Sequence, residues 1–196
     1  MAERHASVTR ATSETQVRVE VALDGGEVAA RTGVPFFDHM LDQLGTHSRI
    51  GLRVDATGDL EVDAHHTVED VGIALGEALT KALGGKQGIG RYGHAVVPME
   101  EALAEVALDV SGRPLLVYRA GIPAEAIGQF ETVLTEEFFQ ALCRSAGLTM
   151  HVELRAGKNA HHCVEAIFKA VARALGDAVA TDPRAGDSVP STKGVL

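Results

Sequence analysis

The pattern His-His-x-x-Glu occurs twice in this chain, as "HHTVED" at His65 to Asp70 and as "HHCVEA" at His161 to Ala166. Each copy opens a segment with helical periodicity. After the first, Val68, Val71, Leu75, Leu79 and Leu83 form one apolar stripe, and Gly84 and Gly85 end it. After the second comes "VEAIFKAVARALGDAV". Strand-like segments precede both copies. The earlier helical segments also align: "FDHMLDQL" (Phe37 to Leu44) lies over "TEEFFQAL" (Thr135 to Leu142) without a gap, placing His39 opposite Glu137. A chain that repeats the same order of elements around the same motif is an internal duplication. The expected fold is therefore α+β, two sheet-and-helix units with helices on one face of an antiparallel or mixed sheet.

The expected repeats span about 8–86 and 91–181, joined near Lys86 to Gly90, in a single domain covering 1–196. "TQVRVEVAL" alternates as a strand and ends in a "DGG" turn. The helix through Phe37, Met40, Leu41 and Leu44 is expected to stop at Gly45. Two short strands are expected about Thr57 and Gly58. In the second half "AEVALDVSG", "RPLLVYRA" and "LTMHVELRAG" read as strands and "ETVLTEEFFQALCRSAG" as a helix. The tail, 182–196, is rich in turn formers and lacks a core pattern.

At 196 residues and 45% apolar content the chain is long enough for a real core. Its formal charge of −9 argues against binding a phosphate backbone, although a small anion can still find a locally basic pocket. The two cysteines, Cys143 and Cys163, form no disulfide framework or thiolate zinc site and are expected as buried thiols. No apolar run reaches membrane-spanning length, and the first residues lack the apolar core of a signal peptide. These features lead to the expectation of a cytoplasmic protein that binds neither nucleic acid nor membrane.

Imidazole and carboxylate donors at equivalent places in two repeats point to metal. On a helix, residues three and four apart share a face, so Glu69 lies near His65 and His66. Adjacent histidines diverge by about 100° and suit two ions better than one chelate. His39 and Glu137 add one donor per half. The candidate metal ligands are His39, His65, His66, Glu69, Glu137, His161, His162 and Glu165, enough for two ions. A set without thiolate suits an octahedral ion such as manganese, with iron, cobalt or zinc as competitors. "GIGRYG" (Gly88 to Gly93) matches a dinucleotide-binding pattern but follows a helix and precedes a strand, the wrong order for that use. Lys193 in "PSTKG" is placed to close on an anion together with Arg91 and Arg113.

Taken together, "GVPFFDHMLDQLGTHS", "ATGDLEVDAHHTVEDVGIALGEAL", "KQGIGRYG", "DVSGRP", "HHCVEAIFKAVARAL" and "PSTKGVL" resemble the imidazoleglycerol-phosphate dehydratases of histidine biosynthesis, from about Glu14 to the C-terminus. The resemblance implies the duplicated fold seen in the second domain of ribosomal protein S5. It also implies two Mn2+ ions per active site and a homo-oligomer of 24 subunits built from trimers, with sites between subunits. It implies that His39, His65, His66, Glu69, His161, His162 and Glu165 hold metal. In some members of the family a metal-binding histidine stands where this chain has Glu137. Substrate contacts implied in the same way are Glu14, His39, His47, His65, His66, Glu69, Arg91, Arg113, His161, Lys169, Ser191 and Lys193. Glu14, Glu69 and Glu165 are the implied catalytic acids.

The implied substrate, D-erythro-imidazole-glycerol phosphate, carries an imidazole, two hydroxyl-bearing carbons and a phosphate. The proton to be lost sits on a carbon with no neighbouring carbonyl. An imidazole made electron-rich between two metal ions can expel the adjacent hydroxyl as a diazafulvene-like intermediate, which acidifies the next carbon. Proton loss gives an enol and then the ketone, imidazole-acetol phosphate. A dimetal phosphate-ester hydrolase is the nearest rival. A ferritin-like metal store is the rival from another class, but its ligand order is Glu-x-x-His on four long helices.

Overall fold

In this computed structural model, residues 4–194 and 196 are described. Two units follow one another along the chain. The first runs β1 (His5–Ala11), β2 (Thr15–Ala22), β3 (Val28–Arg31), α1 (Pro35–Ser48), β4 (Gly51–Gly58) and α2 (His65–Leu83). The second runs β5 (Tyr92–Met99), β6 (Ala102–Asp109), β7 (Leu115–Arg119), a small ribbon of β8 (Ala126–Ile127) and β9 (Phe130–Glu131), α3 (Leu134–Ala146), β10 (Thr149–Ala156) and α4 (Ala160–Val179). Each unit builds a four-stranded sheet, β1-β2-β4-β3 and β5-β6-β10-β7. In both, the last-named strand pairs in parallel and the other pairs are antiparallel. The duplication expected from sequence is thus a fold of two equivalent mixed sheets.

The alternation in β2 explains its place. Thr15, Val17, Val19 and Val21 are buried, while Gln16 and Arg18 between them are exposed. A strand with period two buries one face only, and helices cover that face. α1 and α2 pack on the first sheet and α3 and α4 on the second, while α1 meets α4 and α2 meets α3 across the repeats. The helices therefore lie between the two sheets, and each half completes the core of the other. Phe138 shows this directly: its ring lies 5.3 Å from Phe37 of α1 and 5.5 Å from Phe168 of α4. α2 and α3 approach closely because Gly72 and Gly76 carry no side chain. A Cβ at Gly76 would lie 2.6 Å from that of Ser145.

Two local expectations needed correction. α1 does not stop at Gly45 but continues to Ser48, and Arg49 ends it in the left-handed conformation. Gly45 is buried against Val28 and Leu52, so its small size serves packing and not termination. One strand, β4, ends at Gly58 where two were expected about Thr57 and Gly58, because the chain then turns, the Val62 N–H donating to the Asp59 carbonyl at 2.8 Å. β1 and β3 carried too little pattern to be read. Only Val8 of β1 is fully buried, and β3 has four residues.

Both thiols are buried, as their residue type suggests. Burial pushes Cys143 up to about 12 and raises Cys163 as well, with Glu101 adding to the latter. The folded protein is therefore expected to resist alkylation by iodoacetamide at pH 8, with both cysteines labelled once guanidinium unfolds it. Mass spectrometry before and after unfolding checks this, and rapid labelling of Cys143 in the native protein would contradict the packing.

Candidate metal centre and anion cavity

Each His-His pair sits at the start of its helix because a polar residue just before it takes up free helix N–H groups. Asn159 accepts from the backbone N–H of His161 at 2.9 Å and of His162 at 3.4 Å. Asp63 accepts from the backbone N–H of His65 at 2.7 Å. A buried carboxylate also ties α2 to the first hairpin: Asp70 pairs with Arg10 at 2.7 Å and accepts from the Thr15 hydroxyl.

Among the described residues, one group of three donors converges: His39, His161 and Glu165, whose ligand atoms all lie within 4.8 Å of one another. His161 Nε2 is 3.0 Å and His39 Nε2 is 3.5 Å from Glu165 Oε2. Ligand atoms about 2.1 Å from a divalent ion and at right angles to one another stand about 3 Å apart, so this spacing fits one ion. Glu165 is nearly buried, at 6% side-chain exposure, while His39 and His161 remain 44% and 43% exposed. Burial pushes the Glu165 carboxyl upward, but Lys169 at 2.6 Å, with His161 and His39, outweighs it and holds the group below its ordinary value. It is thus an anion with an open side. Phe36 holds the His161 ring edge-on at 5.1 Å.

The donor from α1 does not join the histidines of its own half. His39 faces the last helix of the other repeat, because α1 packs on α4 and not on α2. By the same crossing, α3, which carries Glu137, packs on α2, which carries His65 and Glu69. Among the described residues these three do not converge to ligand distance.

The second histidine of each pair turns elsewhere. His66 Nδ1 donates to Asp59 at 3.0 Å, with Glu14 at 3.8 Å, and the Asp59 hydrogen bond raises the His66 pKa. His162 Nδ1 donates to Glu101 at 2.7 Å. Hydrogen bonds from His162 first, and from the backbone N–H groups of Asn159 and Lys158, hold Glu101 at about 2. Neither Asp59 nor Glu101 stood out in the sequence. The one available signal for Glu101 was its place in the β5–β6 turn, which matches that of Glu14 in the β1–β2 turn.

Arg91, Arg113, Ser191 and Lys193 line a separate open cavity of about 690 Å³. Asp109 organises it: Arg91 donates to its two oxygens at 2.8 and 3.2 Å, and Arg113 lies at 3.6 Å. Arg91 also donates to the carbonyl of Pro190 at 2.7 Å, which docks the tail. Lys193 forms no ion pair among the described residues. His47 and Lys169 lie away from this cavity, near Glu165. Burial, with Lys169 and Arg173 nearby, lowers the His47 pKa, and its Nε2 is 2.9 Å from Gln43.

The sequence model of the imidazoleglycerol-phosphate dehydratase family matches residues 32–175. Among curated relatives, the imidazoleglycerol-phosphate dehydratase of Symbiobacterium thermophilum is 58% identical over 100% of this chain and 94% of its own. That of Halorhodospira halophila is 57% identical over 100% of both. The crystal structure of the Staphylococcus aureus enzyme superposes with a TM-score of 0.83 at 40% identity, covering 91% of this chain and 99% of that one. That of Pyrococcus furiosus IGPD, in complex with (S)-C348, gives 0.83 at 37% identity, covering 96% and 100%. Identity at this level along the whole length makes the chain a member of the imidazoleglycerol-phosphate dehydratase family, hydro-lyases of histidine biosynthesis.

Proposed function

We propose that the chain dehydrates D-erythro-imidazole-glycerol phosphate to imidazole-acetol phosphate, in the cytoplasm, at a site that uses two Mn2+ ions. The observation that carries this reading is the convergence of His39, His161 and Glu165 on one open point. His65, His66, Glu69, Glu137 and His162 would supply the remaining ligands. Bound divalent ions would supply Lewis acidity and a template for the substrate's imidazole, easing loss of the neighbouring hydroxyl by way of a diazafulvene-like intermediate.

The protein's own groups would do the rest. Glu14 is exposed at the end of a hairpin, 3.8 Å from His66 Nδ1, and is free to take the carbon-bound proton and return one to the enol. Arg91, Arg113, Ser191 and Lys193 would hold the phosphate away from the reacting carbons and fix its orientation. Glu165 is held anionic beside Lys169, which favours ligation over proton transfer.

A separation within the fold supports shared sites. Arg91 precedes β5 and Glu101 follows it, so the anion cavity and the His162 end of the metal centre lie at opposite ends of this strand. The eight residues of β5 span seven rises of about 3.4 Å, which puts the two ends about 24 Å apart. An imidazole, three carbons and a phosphate are far shorter. One substrate would therefore meet the metal ligands of one subunit and the arginines of another, in an assembly we take to be a 24-mer built from trimers.

The test is formation of imidazole-acetol phosphate by metal-stripped protein, which should be lost and then restored by Mn2+. Release of inorganic phosphate instead would point to an esterase. Shared sites add a second expected result. His161→Ala and Arg113→Ala should each be nearly inactive, yet subunits of the two dissociated and reassembled together should regain turnover. A mixture as inactive as its parts would sink the shared site.

A further inference from the structure

We propose that Glu101 is a positioning residue, which sets the ring of His162 so that Nε2 is offered to metal; this rests on the dimetal reading above. The geometry is specific. Glu101 Oε1 accepts from the backbone N–H groups of Lys158 at 3.1 Å and Asn159 at 2.7 Å. Its Oε2 faces His162 Nδ1 at 2.7 Å. Asn159 in turn caps α4 through His161 and His162. One side chain from the β5–β6 turn thus fastens the entry of α4 and the ring of its second histidine together.

An ionised carboxylate only accepts hydrogen bonds. The imidazole proton must therefore sit on Nδ1, and the lone pair that can bind metal is left on Nε2. A carboxylate behind a ligating histidine both fixes the ring and raises its donor strength. The first repeat supports the assignment. His66 Nδ1 is likewise held by a carboxylate, that of Asp59, which comes from the segment between β4 and α2. The hairpin-turn acid of that repeat, Glu14, lies further off at 3.8 Å. The same topological position therefore holds two acids with different work. Glu101 is locked by three N–H groups behind a ligand, and Glu14 is left free for proton transfer.

The experiment is calorimetric titration of Mn2+ into metal-stripped wild type, Glu101→Gln, His162→Ala and the double variant. Glutamine keeps the size, but its amide has only one acceptor oxygen for three donors. With its NH2 turned to His162, it drives the ring proton onto Nε2. We expect Glu101→Gln to weaken Mn2+ binding about 10- to 100-fold, the usual scale for a carboxylate behind a ligating histidine. The double variant should bind no more weakly than His162→Ala alone, since Glu101 acts through that ring. Glu105→Gln, which loses a pairing with His94 and Arg155 on the open sheet face, should bind as wild type does. Should Glu101→Gln not fold, Glu101→Asp decides: its arm is one methylene short, and weakened binding supports the proposal. Wild-type affinity in the folded Glu101 variant overturns it, as does a loss that simply adds to that of His162→Ala. Wild-type protein that takes up no Mn2+ overturns the dimetal reading and this proposal together.

Discussion

His161→Ala is expected to lower kcat by about 10³-fold or more while leaving the fold intact. The two halves of that statement have separate grounds. Metal Lewis acidity is worth several kcal/mol to a reaction of this kind, and about 4 kcal/mol corresponds to 10³ in rate. His161 stands 3.0 Å from Glu165 Oε2 in the converging group, so its loss removes one of three donors that meet there. Stability should change little, because the ring is 43% exposed and Glu165 keeps Lys169 as its counter-charge. Elemental analysis, circular dichroism and steady-state kinetics on the same preparation separate the two effects. His94→Ala, on the exposed face of the second sheet, is the matched control and should keep full turnover. Near-normal kcat in His161→Ala with full metal content would remove His161 from the site.

Phe138→Ala is expected to destabilise the metal-free protein by about 3–5 kcal/mol, the range for truncating a buried phenylalanine. The ring is fully buried and packs against Phe37, Phe139 and Phe168 at 5.2 to 5.5 Å. It therefore touches α1 and α4, and its removal opens a cavity where the two repeats join. Phe138→Leu fills most of that space and should cost less. Denaturant midpoints at matched protein concentration test the order wild type, Leu, Ala. Coincident midpoints for wild type and Phe138→Ala would mean that this cluster does not hold the repeats together.

What was legible in the sequence was local. Hydrophobic period marks β2, α2 and α4 because each buries one face, and that spacing survives in a linear string. The duplication was legible because His65 and His161 open equivalent helices, and the family resemblance rests on the same motifs. The edge strands β1 and β3 were not legible, since an edge strand that buries one side chain, or none fully, leaves no alternation to read.

The site was only half determined in this way. Residue type and repeat position singled out His39, His161 and Glu165, but not that they meet. Sequence order assigns one donor from α1 to the first half. The packing of α1 on α4 carries it to the second, because each repeat buries its helices against those of the other. The contacts of Glu101 with His162 and of Asp59 with His66 were invisible for the same reason. A glutamate in a turn is ordinary until the tertiary fold brings the start of another helix to it. The distance from the arginine cavity to the metal centre also belongs to the tertiary structure alone. It follows from the direction of one strand, which sets Arg91 and Glu101 at opposite ends of β5, and no linear spacing of motifs records that direction.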